Sequence, residues 1–141
     1  MKYHFDTLYF VAIMPQGQSC LPDRRETEEG IWMSPKDALE ANLKGAIPLS
    51  PPTIVTMHEL LDYPDAGSLK RKWEARPWGD TRLPRMIQSK GGPVILEPWD
   101  PQYDDMNENM DTIAFGSLVL SSDEPFSRLY LHNGIWKPVR V

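Results

Sequence analysis

An α+β fold is predicted by three features of this 141-residue chain. Two helix starts, Ser34-Pro35-Lys36-Asp37 and Ser50-Pro51-Pro52-Thr53, stand close together in the first half. Short β-forming runs separated by turn residues fill the second half, and the last two flank Asn133-Gly134. Fourteen prolines, scattered rather than tandem, divide the chain into short elements and exclude a long-helix bundle. The expected architecture is a partial mixed sheet with two helices, followed by a β-rich C-terminal extension that ends in a hairpin.

Residues 3–14 alternate Phe5, Thr7, Tyr9, Val11 and Ile13 against Leu8, Phe10, Ala12 and Met14. Both faces of that run are apolar and rich in β-formers, so it reads as a strand covered on two sides. Pro15-Gln16-Gly17-Gln18 breaks it, and a polar stretch over residues 23–30 leads to a short second strand, Ile31-Trp32-Met33. At Ser34 a capping hydroxyl precedes a first-turn proline, with Asp37 three residues on, and Gly45 closes the segment. That pattern predicts a helix of about ten residues. The start signal repeats at Ser50, and Ile54, Met57, Leu60 and Leu61 share one face of a second helix ending near Pro64. Residues 65–83 carry Gly67, Pro77 and Gly79 among charges and read as a connector, or as a loose helix over 69–74. Strands are expected at 85–89 and 93–97 around Lys90-Gly91-Gly92, at 112–120, and at 126–132 and 135–141. In the last pair, Asn133-Gly134 supplies the positive φ values of a type I′ turn. The organisation expected is 1–63, a connector over 64–84, and 85–141, with the last part able to pack as one domain with the first. There is no internal repeat.

Composition narrows the function classes. Forty per cent hydrophobic residues, with five Trp, five Tyr and four Phe, suffice for a core, while 25% charged residues and a mean hydropathy of -0.46 describe a water-facing surface. The net charge is -5, and the densest basic run, Lys70-Arg71-Lys72, is short and reads as a solvated face, which argues against nucleic acid. Cys20, the one cysteine, excludes an intrachain disulfide and a Cys-x-x-Cys zinc pair, and reads as an unreactive loop thiol in a reducing compartment. The N-terminal residues show no long apolar run and no small-residue cleavage site, so neither a signal peptide nor a membrane span is expected, and the cytoplasm is the expected location. His58 reads as a helix-surface or core-edge residue, because His4 and His132 do not stand at metal-site spacing from it. The acidic stretch over 104–111 lacks the glycine and terminal glutamate of an EF-hand and reads as a solvated loop.

Five pieces within residues 3–63 occur together in order: Phe5-Asp6-Thr7-Leu8-Tyr9-Phe10; Pro15-Gln16-Gly17-Gln18; Glu26 and Glu29 ahead of Trp32; Trp32-Met33-Ser34-Pro35-Lys36-Asp37-Ala38-Leu39; and Leu49-Ser50-Pro51-Pro52-Thr53. Together they resemble the C-terminal half of Nudix hydrolases, in the branch related to peroxisomal coenzyme A diphosphatases. A fainter echo, Ile95-Leu96-Glu97-Pro98-Trp99-Asp100-Pro101 followed by Tyr103, is similar to a tail found in the same branch. The resemblance implies a fragment of an enzyme that hydrolyses nucleoside diphosphates linked to another moiety, with a nucleotide or coenzyme A-type ligand. The complete enzyme would use Mg²⁺ or Mn²⁺, held by glutamates of the box G-x5-E-x7-R-E-U-x-E-E-x-G-U. Hard divalent cations take oxygen ligands and neutralise charge developing on phosphoryl oxygens, so that chemistry needs clustered carboxylates.

The box is absent. Arg25-Glu26-Thr27-Glu28-Glu29-Gly30 imitates its end but lacks the glycine and glutamate upstream. No cofactor is therefore expected for this chain, which by itself is expected to hydrolyse nothing quickly. The expectation is that upstream sequence is missing, by truncation of the gene, an alternative start or a cloning boundary. Glu26, Glu28 and Glu29 have two readings. Some Nudix enzymes take an extra carboxylate from a loop beyond the box, so Glu26 or Glu29 is a candidate base and all three are candidate metal ligands. The alternative is a solvated acidic turn. Trp32 reads as a core or interface aromatic rather than a stacking platform. A competing class is a non-catalytic interaction module, because removing half of a layered fold leaves strand 3–14 with an unpaired edge. It would pair with a missing N-terminal half or form a homo-oligomer, the expected form being a symmetric dimer through that strand or the terminal hairpin. A third reading takes the likeness as accidental and the chain as a small β-rich binding domain.

Overall fold

The computed structural model describes residues 7–77, 79–104 and 119–140. Contacts divide the chain into two compact units, Met1–Trp32 and Met33–Val141, so residues 64–84 lie inside the second. Among the described residues there are three helices and one four-stranded antiparallel sheet, a small α+β fold. No helix among them is long and apolar enough to cross a membrane.

In the first unit, residues 7–14 form neither strand nor helix, and neither do residues 31–33. Both strands expected there are corrected. Strand structure requires a hydrogen-bonded ladder with a neighbour, and β-forming composition alone does not produce one. The expected mixed sheet is corrected with them, because every pairing in the sheet is antiparallel. Local order in this unit comes from turns. Gly17 takes φ +81 after Pro15, and Gln18 N donates to Pro15 O. Asp23 Oδ1 accepts from the backbone N–H of Arg25, Glu26 and Thr27 and from Thr27 Oγ1, while Arg24 takes φ +58.

In the second unit, α1 (Pro35–Leu43) starts as its sequence predicts. Ser34 is extended, its Oγ accepts from Asp37 N at 3.1 Å and donates to Asp37 Oδ2 at 2.6 Å. Gly45, at φ +74, ends the helix in a Schellman pair: Gly45 N donates to Asn42 O and Ala46 N to Ala41 O. Helix α2 (Pro51–Leu60) has Ser50 at its cap position, but the Ser50 hydroxyl bonds Thr53 Oγ1 and leaves the helix N–H groups uncapped by a side chain. Helix α3 (Ala66–Glu74) is capped by Asp65 and is longer than the loose helix expected at 69–74. It buries no residue and leans on Tyr63, whose hydroxyl accepts from Trp73 Nε1. Lys70-Arg71-Lys72 sits on it, with Lys70 paired to Glu74 and Lys72 over the Tyr63 ring.

The sheet is a meander of β1 (Arg85–Ser89), β2 (Gly92–Leu96), β3 (Arg128–His132) and β4 (Ile135–Val139). The β3–β4 hairpin turns on Asn133 at φ 50 and Gly134 at φ +78, as the type I′ reading requires. Of the run expected at 112–120, Val119 and Leu120 are described. Val119 bridges Val139, and Leu120 N donates to Pro138 O. The rest of that run lies outside the described residues, as does the acidic loop beyond Asp104.

Alternation along the strands places Ile95 and Leu129, which pair, on one face with Leu39, Ile54, Leu120 and Phe126. Helices α1 and α2 cover that face. The opposite face buries Ile87, Val94 and Leu96 against Tyr103 and Tyr130. Asn42, 1% exposed, ties α1 to its surroundings: its Nδ2 donates to Trp136 O and its Oδ1 accepts from Leu49 N, both at 2.9 Å.

Candidate functional site

The sequence-predicted glutamates do not converge. Glu26, Glu28 and Glu29 are all exposed in the first unit. Among the described residues no three His, Cys, Asp or Glu side chains stand close enough to hold a metal ion. The turn that carries Glu26 is organised by Asp23, whose carboxyl is held well below the usual carboxylate range by the Thr27 and Arg25 backbone N–H groups, the Thr27 hydroxyl and the Glu26 N–H. Trp32 is 74% exposed, which corrects its core reading and leaves the interface one. Cys20 is exposed. His58 stands at the core edge: it is half-buried, its Nε2 is 3.1 Å from Glu124 O, and Phe126 meets its ring edge-on at 5.2 Å.

A polar cluster that spacing did not reveal lies where β2 runs out toward the core side of the sheet. Glu97 is two residues beyond Ile95, so alternation points both to the helix-covered face. Its N–H donates to Ser127 O, which extends the β2–β3 ladder by one rung and fixes it there. Glu97 is only 3% exposed, and burial pushes its carboxyl up to about 7 against the opposing pull of the Arg82 charge. Arg82 also pairs through Nη2 with Glu59 Oε1 of α2, and its guanidinium lies 5.5 Å from the centre of the Trp99 ring. Trp99 is held in place by its indole Nε1, which donates to Phe126 O at 2.7 Å. Glu59, Arg82 and Trp99 line a shallow depression of about 290 Å³ together with Val55, His58, Pro125 and Phe126.

Beside it lies a second, fully satisfied network. Asp100 and Arg128 are buried and form a bidentate pair, Nε to Oδ2 at 2.6 Å and Nη2 to Oδ1 at 3.0 Å. Burial pushes the Asp100 carboxyl up, but hydrogen bonds from Arg128, Gln102 N and Ser127, with the Arg128 charge, outweigh it and leave the carboxyl below its ordinary value. This pair locks the loop after β2 onto β3 and offers no open position to a ligand.

The chain matches no protein-family model, no curated protein and no solved structure.

The signal for the Glu97 cluster was present in one place. In Ile95-Leu96-Glu97 an acid follows a core residue at strand spacing. A carboxyl so placed must find a positive partner or hold its proton. That the partner is Arg82, fifteen residues earlier, could not be read from spacing.

Proposed function

We propose that this chain is a non-catalytic, self-associating interaction module whose first unit makes the contact. One observation carries the reading. From Thr7 to Pro22 there is no charged residue, and Leu8, Tyr9, Phe10, Val11 and Ile13 are all exposed on a segment that forms no strand of its own. The proline-free part of this run, Leu8 to Met14, presents uncharged β-forming apolar side chains to a second chain without like-charge repulsion. Taking about 200 Å² for each fully exposed side chain of this size, the eight large exposed apolar residues from Leu8 to Trp32 offer on the order of 1,000 Å², against about 800 Å² per partner in a standard interface. Sedimentation velocity tests the proposal. The chain should form a concentration-dependent dimer and Val11→Lys should sediment as a monomer, whereas a wild-type chain monomeric at every concentration overturns the reading.

A second reading, descent from a Nudix hydrolase, is favoured by α1, whose Ser34-Pro35 start follows Trp32-Met33 where that resemblance needs a helix. On this reading the chain alone releases no phosphate from coenzyme A or ADP-ribose with Mg²⁺ or Mn²⁺, and gains that activity once a segment bearing the box is supplied. Hydrolysis by the chain alone would contradict both readings.

A further inference from the structure

We propose that Trp99, Glu59 and Glu97 form a recognition site for the guanidinium of an arginine on a peptide or protein partner, and that Arg82 occupies this site in cis. The inference is independent of how the first unit associates.

The walls and the occupant differ in kind. Glu59 stands on α2, Glu97 is held in the β2–β3 ladder by its N–H bond to Ser127 O, and Trp99 is oriented by its indole bond to Phe126 O. The helix, the ladder and the indole bond place the two acid backbones and the Trp99 ring independently of Arg82, as a binding site requires. Arg82, by contrast, comes from the irregular stretch between α3 and β1, and every residue described from Glu74 to Pro84 is exposed. Its neighbour Leu83 is tethered through its carbonyl, which accepts from the Tyr103 hydroxyl. A segment with so little burial opens at small cost, while the walls stay with the core.

The chemistry of the walls selects arginine. An aromatic face attracts a planar, weakly hydrated cation, and carboxylates at its edge take the hydrogen bonds of the guanidinium fork. Arg82 makes both kinds of contact, over Trp99 and to Glu59, and its charge also acts on the buried Glu97 carboxyl. A lysine ammonium, compact and strongly hydrated, would stack on Trp99 less well and bridge two carboxylates less well. The depression beside Arg82, walled by Val55, His58, Pro125 and Phe126, has room for the aliphatic stem of an incoming side chain.

Occupancy in cis makes the site self-limiting. A tether of this length presents Arg82 at an effective concentration in the millimolar range, so an external arginine binds only in competition with it. The full chain carrying Arg82→Ala exposes the walls, and N-acetyl-arginine-amide serves as probe under mildly alkaline conditions. The Trp99 indole N–H resonance, assigned by its loss in Trp99→Phe, is the readout. In Arg82→Ala that resonance should shift and saturate with the probe, the wild-type chain should need about ten-fold more, and adding Glu97→Gln should weaken binding again. N-acetyl-citrulline-amide, equal in shape but uncharged, should leave it unmoved. Should Arg82→Ala change the far-UV circular dichroism, Arg82→Gln takes its place, keeping the stem without the charge. An unmoved Trp99 resonance in the folded variant, or equal shifts with arginine and citrulline, overturns the proposal.

Discussion

Replacing Glu97 by Gln should make the fold more stable at alkaline pH and leave it nearly unchanged at acid pH. Glu97 is 3% exposed, and its carboxyl titrates at about 7 in the folded chain against an ordinary value of 4.5. The sign follows from proton binding. Between those two values the folded chain holds a proton that the unfolded chain has lost, so stability falls as pH rises through this window and levels off above it. Integrated over the window, the ionised carboxyl costs the fold at most about 3 kcal/mol, the Arg82 attraction already included. Glutamine keeps the shape of the protonated acid and never ionises. Urea denaturation of both chains, from below pH 4.5 to above pH 7, isolates the effect, since every other titrating group is common to both and cancels in the difference. The stability of Glu97→Gln relative to wild type should rise by up to about 3 kcal/mol across the series, roughly 10 °C in Tm. Parallel stability curves would refute the reasoning, because they would mean that Glu97 is solvated or fully paired in the folded chain.

Substitutions at three places test the packing of the second unit. Asn42→Ala leaves Trp136 O and Leu49 N without their partner and should cost about 2–4 kcal/mol by urea denaturation, more than the loss of its few side-chain atoms alone would give. Asp100→Asn leaves Arg128 buried beside a neutral partner and should cost about 3–5 kcal/mol by urea denaturation, while Asp100→Leu combined with Arg128→Met should cost far less. Gly134→Ala forces a side chain into φ +78 and should lower stability by about 1 kcal/mol in thermal melts, with the hairpin amides exchanging faster.

Local chemistry was legible where it is self-contained. The Ser34 cap, the Gly45 stop and the Asn133-Gly134 turn each act through atoms a few residues apart, and each stands where its residues place it. Strands β1 and β2 were legible because Lys90-Gly91 lies between two runs that pair with each other. The run at 7–14 has stronger β-forming composition than either, yet it forms no strand, because composition alone does not build a hydrogen-bonded ladder. Pairings distant in sequence were not legible. Asp100 with Arg128 is set by the pairing of β2 with β3, and Glu97 with Arg82 by the register of Arg85 against Leu96, which carries the residues before β1 alongside those after β2. The acids at 26, 28 and 29 stand out by their place in the resemblance, and among the described residues they form no metal-sized cluster of three or more acidic, His or Cys side chains.

Hydrogen exchange at residues 8–13, followed by mass spectrometry as protein concentration is raised, tests the central claim most directly. Pairing of this segment with a second copy predicts amide protection that grows with concentration and disappears in Val11→Lys, while the second unit's sheet amides stay unchanged. Fast exchange at 8–13 at every concentration would contradict it.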